Sequence, residues 1–168
     1  MQIFINILGV IRCVLLLQFD CLCCFFNPEM KRETKKKVLL VRLDTIGDFI
    51  LWLDAAKELK KLFLSNEYEI TLLGNQTWTS LAKTLPYFDR VSSLNRKKFL
   101  NNWYYRLKIL KKIRQIGFQV IIHPTFSREF LFGDAIVRIS GAKERIGFQG
   151  DCSNIRPWQK WISDHWYT

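Results

Sequence analysis

Histidine, proline and methionine are scarce in this chain of 168 residues, which has two, four and two of them. His123, His165 and a single tight cysteine cluster leave too few ligands for a zinc centre. Cys13, Cys21, Cys23 and Cys24 crowd the first segment and Cys152 stands alone near the end. An odd number placed this way builds no disulfide framework, and a reducing, cytoplasmic compartment is expected. Neither GxGxxG nor GxxxxGK[ST] occurs, which disfavours dinucleotide and P-loop cofactors. Internal repeats and low-complexity tracts are absent too.

Hydrophobic residues make up 49% of the chain and charged residues 24%, enough apolar material for one domain or one lobe of a larger protein. The net charge is +11. The excess lies in two stretches: Lys31–Lys37 (KRETKKK), and 96–114, which holds eight bases and no acid. The rest is close to neutral, so an anionic partner would meet specific surfaces.

Residues 1–29 form an apolar segment interrupted by Asn6, Arg12, Gln18 and Asp20. It lacks the positive start, unbroken apolar run and cleavage site of a secretory signal. Its length suits a spanning helix, but Arg12 and Asp20 would each cost roughly 2.5–3.5 kcal/mol near mid-bilayer. On a helical wheel Gln2, Asn6, Gly9, Arg12, Asp20 and Asn27 share one sector, with Gln18 outside it. That pattern predicts an amphipathic helix in the membrane surface. The basic linker 30–36 and Lys37 follow, with Lys31, Arg32, Lys35, Lys36 and Lys37 facing anionic headgroups. A spanning anchor, or translation beginning at Met30, are the alternatives.

Residues 37–150 alternate strand and helix. Strands are predicted at Lys37–Leu43, Tyr68–Leu73, Arg90–Leu94, Phe118–Ile122 and Arg145–Phe148. Helices are predicted at Asp48–Leu64, Thr77–Leu85, Leu100–Ile113 and Ser127–Ile139. Short apolar strands between helices predict an α/β, Rossmann-like parallel sheet with helices on both faces. Such sheets bind ligands at the carboxyl ends of their strands.

The turn after the first strand, Asp44-Thr45-Ile46-Gly47-Asp48, leads straight into a helix. Gly47 is expected to bend the backbone and admit a ligand closely, with free N–H groups of the helix start beside it. Asp48 has two readings. It can accept a proton from an attacking hydroxyl. Equally, Thr45-x-x-Asp48 is a capping box whose position at the helix start lowers the carboxyl pKa.

The segments VLLVRLDTIGDFILWLDAAKELKKLF, ITLLG, LPYFDRV, FQVIIHP and SGAKERIGF resemble, in order and spacing, the amino-terminal lobe of glycosyltransferase family 9. These are the ADP-heptose:lipopolysaccharide heptosyltransferases and their relatives. The resemblance covers roughly 37–150. It implies the amino-terminal half of a two-lobed GT-B fold, with acceptor on this lobe and a nucleotide sugar such as ADP-heptose on the other. It places the catalytic aspartate on Asp48. Acceptor contacts are then expected from Thr45, Gly47, His123, Thr125 and Arg128, with His123 also read as a satisfied polar residue at a strand end.

His123-Pro124-Thr125 departs from the family, which often has glycine where Pro124 stands. Arg128 is read either as binding acceptor phosphate or carboxylate, or as a solvated surface arginine. The helix bearing Arg106, Lys108, Lys111, Lys112 and Arg114 is read as a solvated basic face, with anionic lipid or lipopolysaccharide core as its partner if it has one.

Residues 151–168 read as a truncated tail with Trp158, Trp161 and Trp166 exposed. With no donor lobe apparent, the polypeptide alone is expected to lack transferase activity. Two alternatives stay open: a membrane-attached glycolipid-binding remnant without catalysis, and a basic nucleic-acid-binding module. The second lacks a recognised motif, so nucleic acid is disfavoured as a partner.

Overall fold

The computed structural model describes residues 2–25 and 34–168, so Lys31, Arg32, Asn27 and Met30 lie outside the described residues. Helix α1 (Gln2–Asp20) and a 3-10 turn (Cys21–Phe25) precede an alternation of β1 (Lys36–Arg42), α2 (Ile46–Leu51), α3 (Leu53–Leu62), β2 (Tyr68–Asn75) and α4 (Thr79–Ala82). Then come β3 (Arg90–Leu94), α5 (Arg96–Asn101), α6 (Trp103–Ile116), β4 (Val120–His123), a π-helical turn (Phe130–Asp134), α7 (Ala135–Ser140), β5 (Glu144–Gly147) and α8 (Pro157–Asp164). All neighbouring strands pair parallel, in the order β3-β2-β1-β4-β5.

The alternation within β1 sets the two layers. Leu39, Val41 and Leu43 face a core built with Phe99, Leu110, Ile113 and Val137, while Val38 and Leu40 face one built with Phe49, Ala56, Trp78 and Ile122. Helices therefore cover both faces, and the expected α/β, Rossmann-like sheet is present.

Several helix boundaries differ from the pattern reading. The run Asp48–Leu64 is two helices, parted at the buried Trp52. The third is also two: the Asn102 side chain accepts the Tyr105 N–H at 2.9 Å and opens α6 as its own helix. The Ser127–Ile139 stretch begins as extended chain and a π-helical turn before α7. Gly117 and Gly141, both left-handed, end α6 and α7 as their positions suggest.

Arg106 is not on a solvated face. It is fully buried, and its Nε and Nη2 each donate to the Asp20 carboxylate at 2.6 Å. On α6, Arg106 falls in one stripe with Leu110 and Ile113, which points it at the core. Two residues of the polar sector of α1, Asp20 and Arg12, thus reach the domain. Arg12 donates to Leu100 O at 3.0 Å and to Asn101 at 2.8 Å, and Arg138 donates to Leu17 O at 3.2 Å.

Two of the three tryptophans of residues 151–168 are not exposed as expected. Thr168 N donates to Arg145 O at 2.9 Å beside β5, and Trp158 and Trp166 pack on Phe130. Together with Cys13, Leu17, Ile155 and Ile162 they form a third apolar cluster that joins α1 to α8. Trp161 alone of the three matches the expected exposure.

Candidate functional site at the carboxyl edge of the sheet

Strand order reverses direction between β1 and β4, and the loops leaving these two strands carry the candidate residues. Arg42, the last residue of β1, ties the two loops together. Its Nη1 donates to Pro124 O at 2.5 Å, and its Nη2 donates to Asp48 O at 3.0 Å and pairs with Asp44 at 2.8 Å. Burial lowers the Arg42 pKa and raises that of Asp44. One Asp44 oxygen, Oδ1, is buried with no hydrogen-bond partner among the described residues.

The β1 loop is held from the other side as well. Asn75 donates to Leu43 O and Asp44 O, and the Trp78 indole donates to Asp44 O at 3.0 Å. Arg96 donates to Leu43 O at 2.9 Å while its fork grips Glu129 through two contacts of 2.7 Å. A loop fixed by this many donors is set before any ligand arrives.

Thr45, Gly47 and Asp48 sit together on this loop, all exposed. Asp48 Oδ2 accepts from Thr45 Oγ1 at 2.7 Å and from Thr45 N at 3.2 Å. The structural role of Asp48 is therefore realised, and the carboxylate still faces solvent at the edge. Its pKa is lowered, chiefly by the Thr45 hydroxyl hydrogen bond. An ionised carboxylate is in place at neutral pH.

Gly47 differs from expectation. Its φ is not in the left-handed region, and an added Cβ would meet only Thr45 Oγ1, at 3.8 Å. The fold does not demand glycine there, and its bareness leaves the surface open. Gly47→Ala is therefore expected to keep or slightly raise stability, by up to about 1 kcal/mol. The same variant should weaken any ligand that packs on this surface. Thermal unfolding and ligand titration on one sample separate the two effects.

The other candidates lie deeper. His123, at the end of β4, is buried, and its Nδ1 lies 2.7 Å from the Tyr167 hydroxyl, which donates to Asp134 Oδ1 at 2.6 Å. That hydroxyl has one proton and gives it to Asp134, so His123 Nδ1 is the donor. A Cβ at Gly133 would strike the His123 ring, so this position does need glycine. Arg128 is buried rather than solvated, donates to Asp164, and lies over the Tyr167 ring at 4.7 Å. Thr125 Oγ1 is buried without a partner among the described residues. The edge thus brings Thr45, Gly47 and Asp48 into one exposed cluster, and places His123 and Arg128 in a buried network with Asp134, Asp164 and Tyr167.

Two clefts open on the carboxyl side of the sheet, and Asp48 lines neither of them. Toward β2 and β3 lies a polar one of about 490 Å³, lined by Asn75, Gln76, Thr77, Asn95, Arg96 and Lys97. Toward β4 and β5 lies an apolar one of about 500 Å³, whose lining includes Trp52, Leu59, Ile122, Pro124 and Phe148. No group of His, Cys, Asp and Glu among the described residues is arranged to hold a metal ion. The sequence reading missed Arg42, Asp44, Arg96, Glu129, Asp134 and Tyr167. A readable signal existed for Arg42 alone, a charge closing an otherwise apolar strand.

Compared with known proteins, the sequence matches no protein-family model and no curated protein. In structure the chain is similar to a crystal structure of a glycosyl transferase family 9 protein from Veillonella parvula DSM 2008. The TM-score is 0.52 at 16% identity, over 71% of this chain and 34% of that one. The likeness shows a shared fold, and the chain spans about a third of that neighbour's length.

Proposed function

We propose that the chain is the acceptor-holding lobe of an inverting glycosyltransferase, with Asp48 as the base. The observation that carries this reading is an exposed, ionised carboxylate on a rigid loop at the strand-order reversal. The fold shared with a family 9 glycosyl transferase supports it.

In the proposed step Asp48 takes the proton of an acceptor hydroxyl as that oxygen attacks the anomeric carbon of the donor sugar. The bond from this carbon to the nucleotide diphosphate breaks, and the diphosphate leaves with the electron pair. Thr45 holds the carboxylate, and Arg42 fixes the loop against Pro124. The polar cleft with Arg96 and Lys97 suits an acceptor glycan bearing phosphate or carboxylate. By the family resemblance, a heptose-type sugar carried on ADP is the proposed donor part and lipopolysaccharide core the acceptor. Transfer needs a donor-holding surface opposite Asp48, so these 168 residues alone are expected to bind acceptor without releasing nucleotide.

Titration of the isotope-labelled chain with lipopolysaccharide-core oligosaccharide tests the reading. Saturable amide shifts at Gly47, Asp48 and Lys97 are expected. Shifts absent throughout, or confined to the opposite edge near Lys37 and Gln119, would overturn it.

A further inference from the structure

The polarity of α1 is inverted relative to a helix that floats on its own. Its two charged residues are spent on the domain: Asp20 in the buried pair with Arg106, and Arg12 on the end of α5. Cys13, Asp20 and Cys23 face inward. Leu8, Ile11, Leu15, Leu22 and Phe25 recur at three- and four-residue spacing and face out, Leu15 58% and Phe25 83% exposed. Only Gln18 interrupts this stripe. The window Leu8–Phe25 is long and apolar enough to cross a membrane by length and composition, yet the helix lies along the domain's flank instead.

The rim of this stripe has its own chemistry. Trp103 meets Phe19 edge-on at 5.6 Å, and the Cys23 thiol lies 3.9 Å from Leu107 O, so α6 runs beside α1 and the turn that follows it. Trp103 and Tyr104 are themselves exposed. Tyr104, Lys108 and Lys111 share one α6 stripe at the spacing of successive turns. Residues 96–114 contain no acid, and the one acid between Leu8 and Phe25 is the buried, paired Asp20. The face therefore presents an apolar stripe, amphipathic aromatics and lysines, with no exposed negative charge on these segments.

We infer that this face seats the domain on an anionic lipid bilayer, with α1 lying in the interface plane as a rigid part of the lobe. Apolar side chains enter the acyl boundary, Trp103 and Tyr104 sit at headgroup depth, and the lysines meet anionic headgroups. The inference is independent of the glycosyl-transfer reading, because it concerns a different surface and is read without substrate.

Cosedimentation of the full chain with phosphatidylcholine vesicles, with and without phosphatidylglycerol, tests it. Binding is expected with phosphatidylglycerol and should weaken as salt rises. Ile11→Glu with Leu15→Glu should lower partitioning at least about ten-fold, as should Lys108→Glu with Lys111→Glu on the anionic vesicles. Ile11, Leu15 and Lys108 are exposed and Lys111 is half-buried, so each pair is read only where an unchanged circular dichroism melt shows that the fold is kept, and Lys108→Glu alone should act in the same direction as the lysine pair. Four results would overturn the inference. These are no binding to anionic vesicles, binding indifferent to Ile11→Glu/Leu15→Glu, protection of α1 across the bilayer after alkaline carbonate, and a vesicle-free dimer that the same pair dissociates.

Discussion

Replacing Asp20 by alanine is expected to cost about 3–5 kcal/mol of unfolding free energy, because it strands a desolvated guanidinium. Asp20 and Arg106 are both fully inaccessible, and the pair is a fork of two 2.6 Å contacts. Arg106 also donates to Leu131 O at 2.9 Å and lies 4.4 Å over the Phe99 ring, so it has no route to solvent without unpacking α6. Domains of this size have roughly 5–15 kcal/mol in total, so the variant should be close to unfolded at 37 °C. Urea denaturation gives the number.

The double variant Asp20→Leu/Arg106→Met should recover most of the loss, since an apolar pair of similar volume needs no desolvation. Leu131 O, left without its donor, should keep the recovery short of complete. A cost under about 1 kcal/mol for Asp20→Ala would mean that α1 is not docked on the domain.

That ion pair shows where sequence reading stops. The sheet was legible because strands covered on both faces are written as apolar runs, and β1 as KVLLVR needs no partner to be seen. The chain ends of α6 and α7 were legible from Gly117 and Gly141, local signals for a left-handed stop. Asp20 and Arg106 are 86 residues apart, and neither carries a local mark of the other. Counting Arg106 into a run of bases concealed its place on the Leu110–Ile113 stripe, although the spacing was readable. The break at Trp52 has no glycine or proline to announce it. At the site, Asp48 and Thr45 were legible as a local capping pattern. Arg42, Arg96 and Tyr167 act through contacts that exist only once the sheet has formed.

The second large effect concerns which carboxylate takes the proton. With a donor-holding lobe supplied, Asp48→Asn is expected to lower transfer about 10²–10⁴-fold while leaving acceptor affinity nearly unchanged. Asp44 is the competing base: it lies on the same loop, its pKa is raised by burial, and one of its oxygens is unpartnered. The two make opposite predictions for the acid limb of kcat/KM, which reports the free enzyme. Asp48 is held below the ordinary carboxylate value by Thr45, so the limb should lie lower than a free aspartate's if it is the base. It should lie higher if Asp44 is.

Thr45→Val decides between them. Removing the hydroxyl that donates at 2.7 Å should let the Asp48 pKa climb back toward its usual value and carry the acid limb upward. The limb should not move if Asp44 governs it, because Asp44 answers first to burial and then to Arg42. Stability follows the same sign. The depressed Asp48 pKa contributes to folding above the unfolded carboxyl pKa, and that contribution is lost as pH falls through the folded one. Thr45→Val should therefore flatten the acid side of the stability curve as it shifts the activity limb. A limb that stays in place while the stability curve flattens would leave Asp48 as a cap and move the chemistry to Asp44.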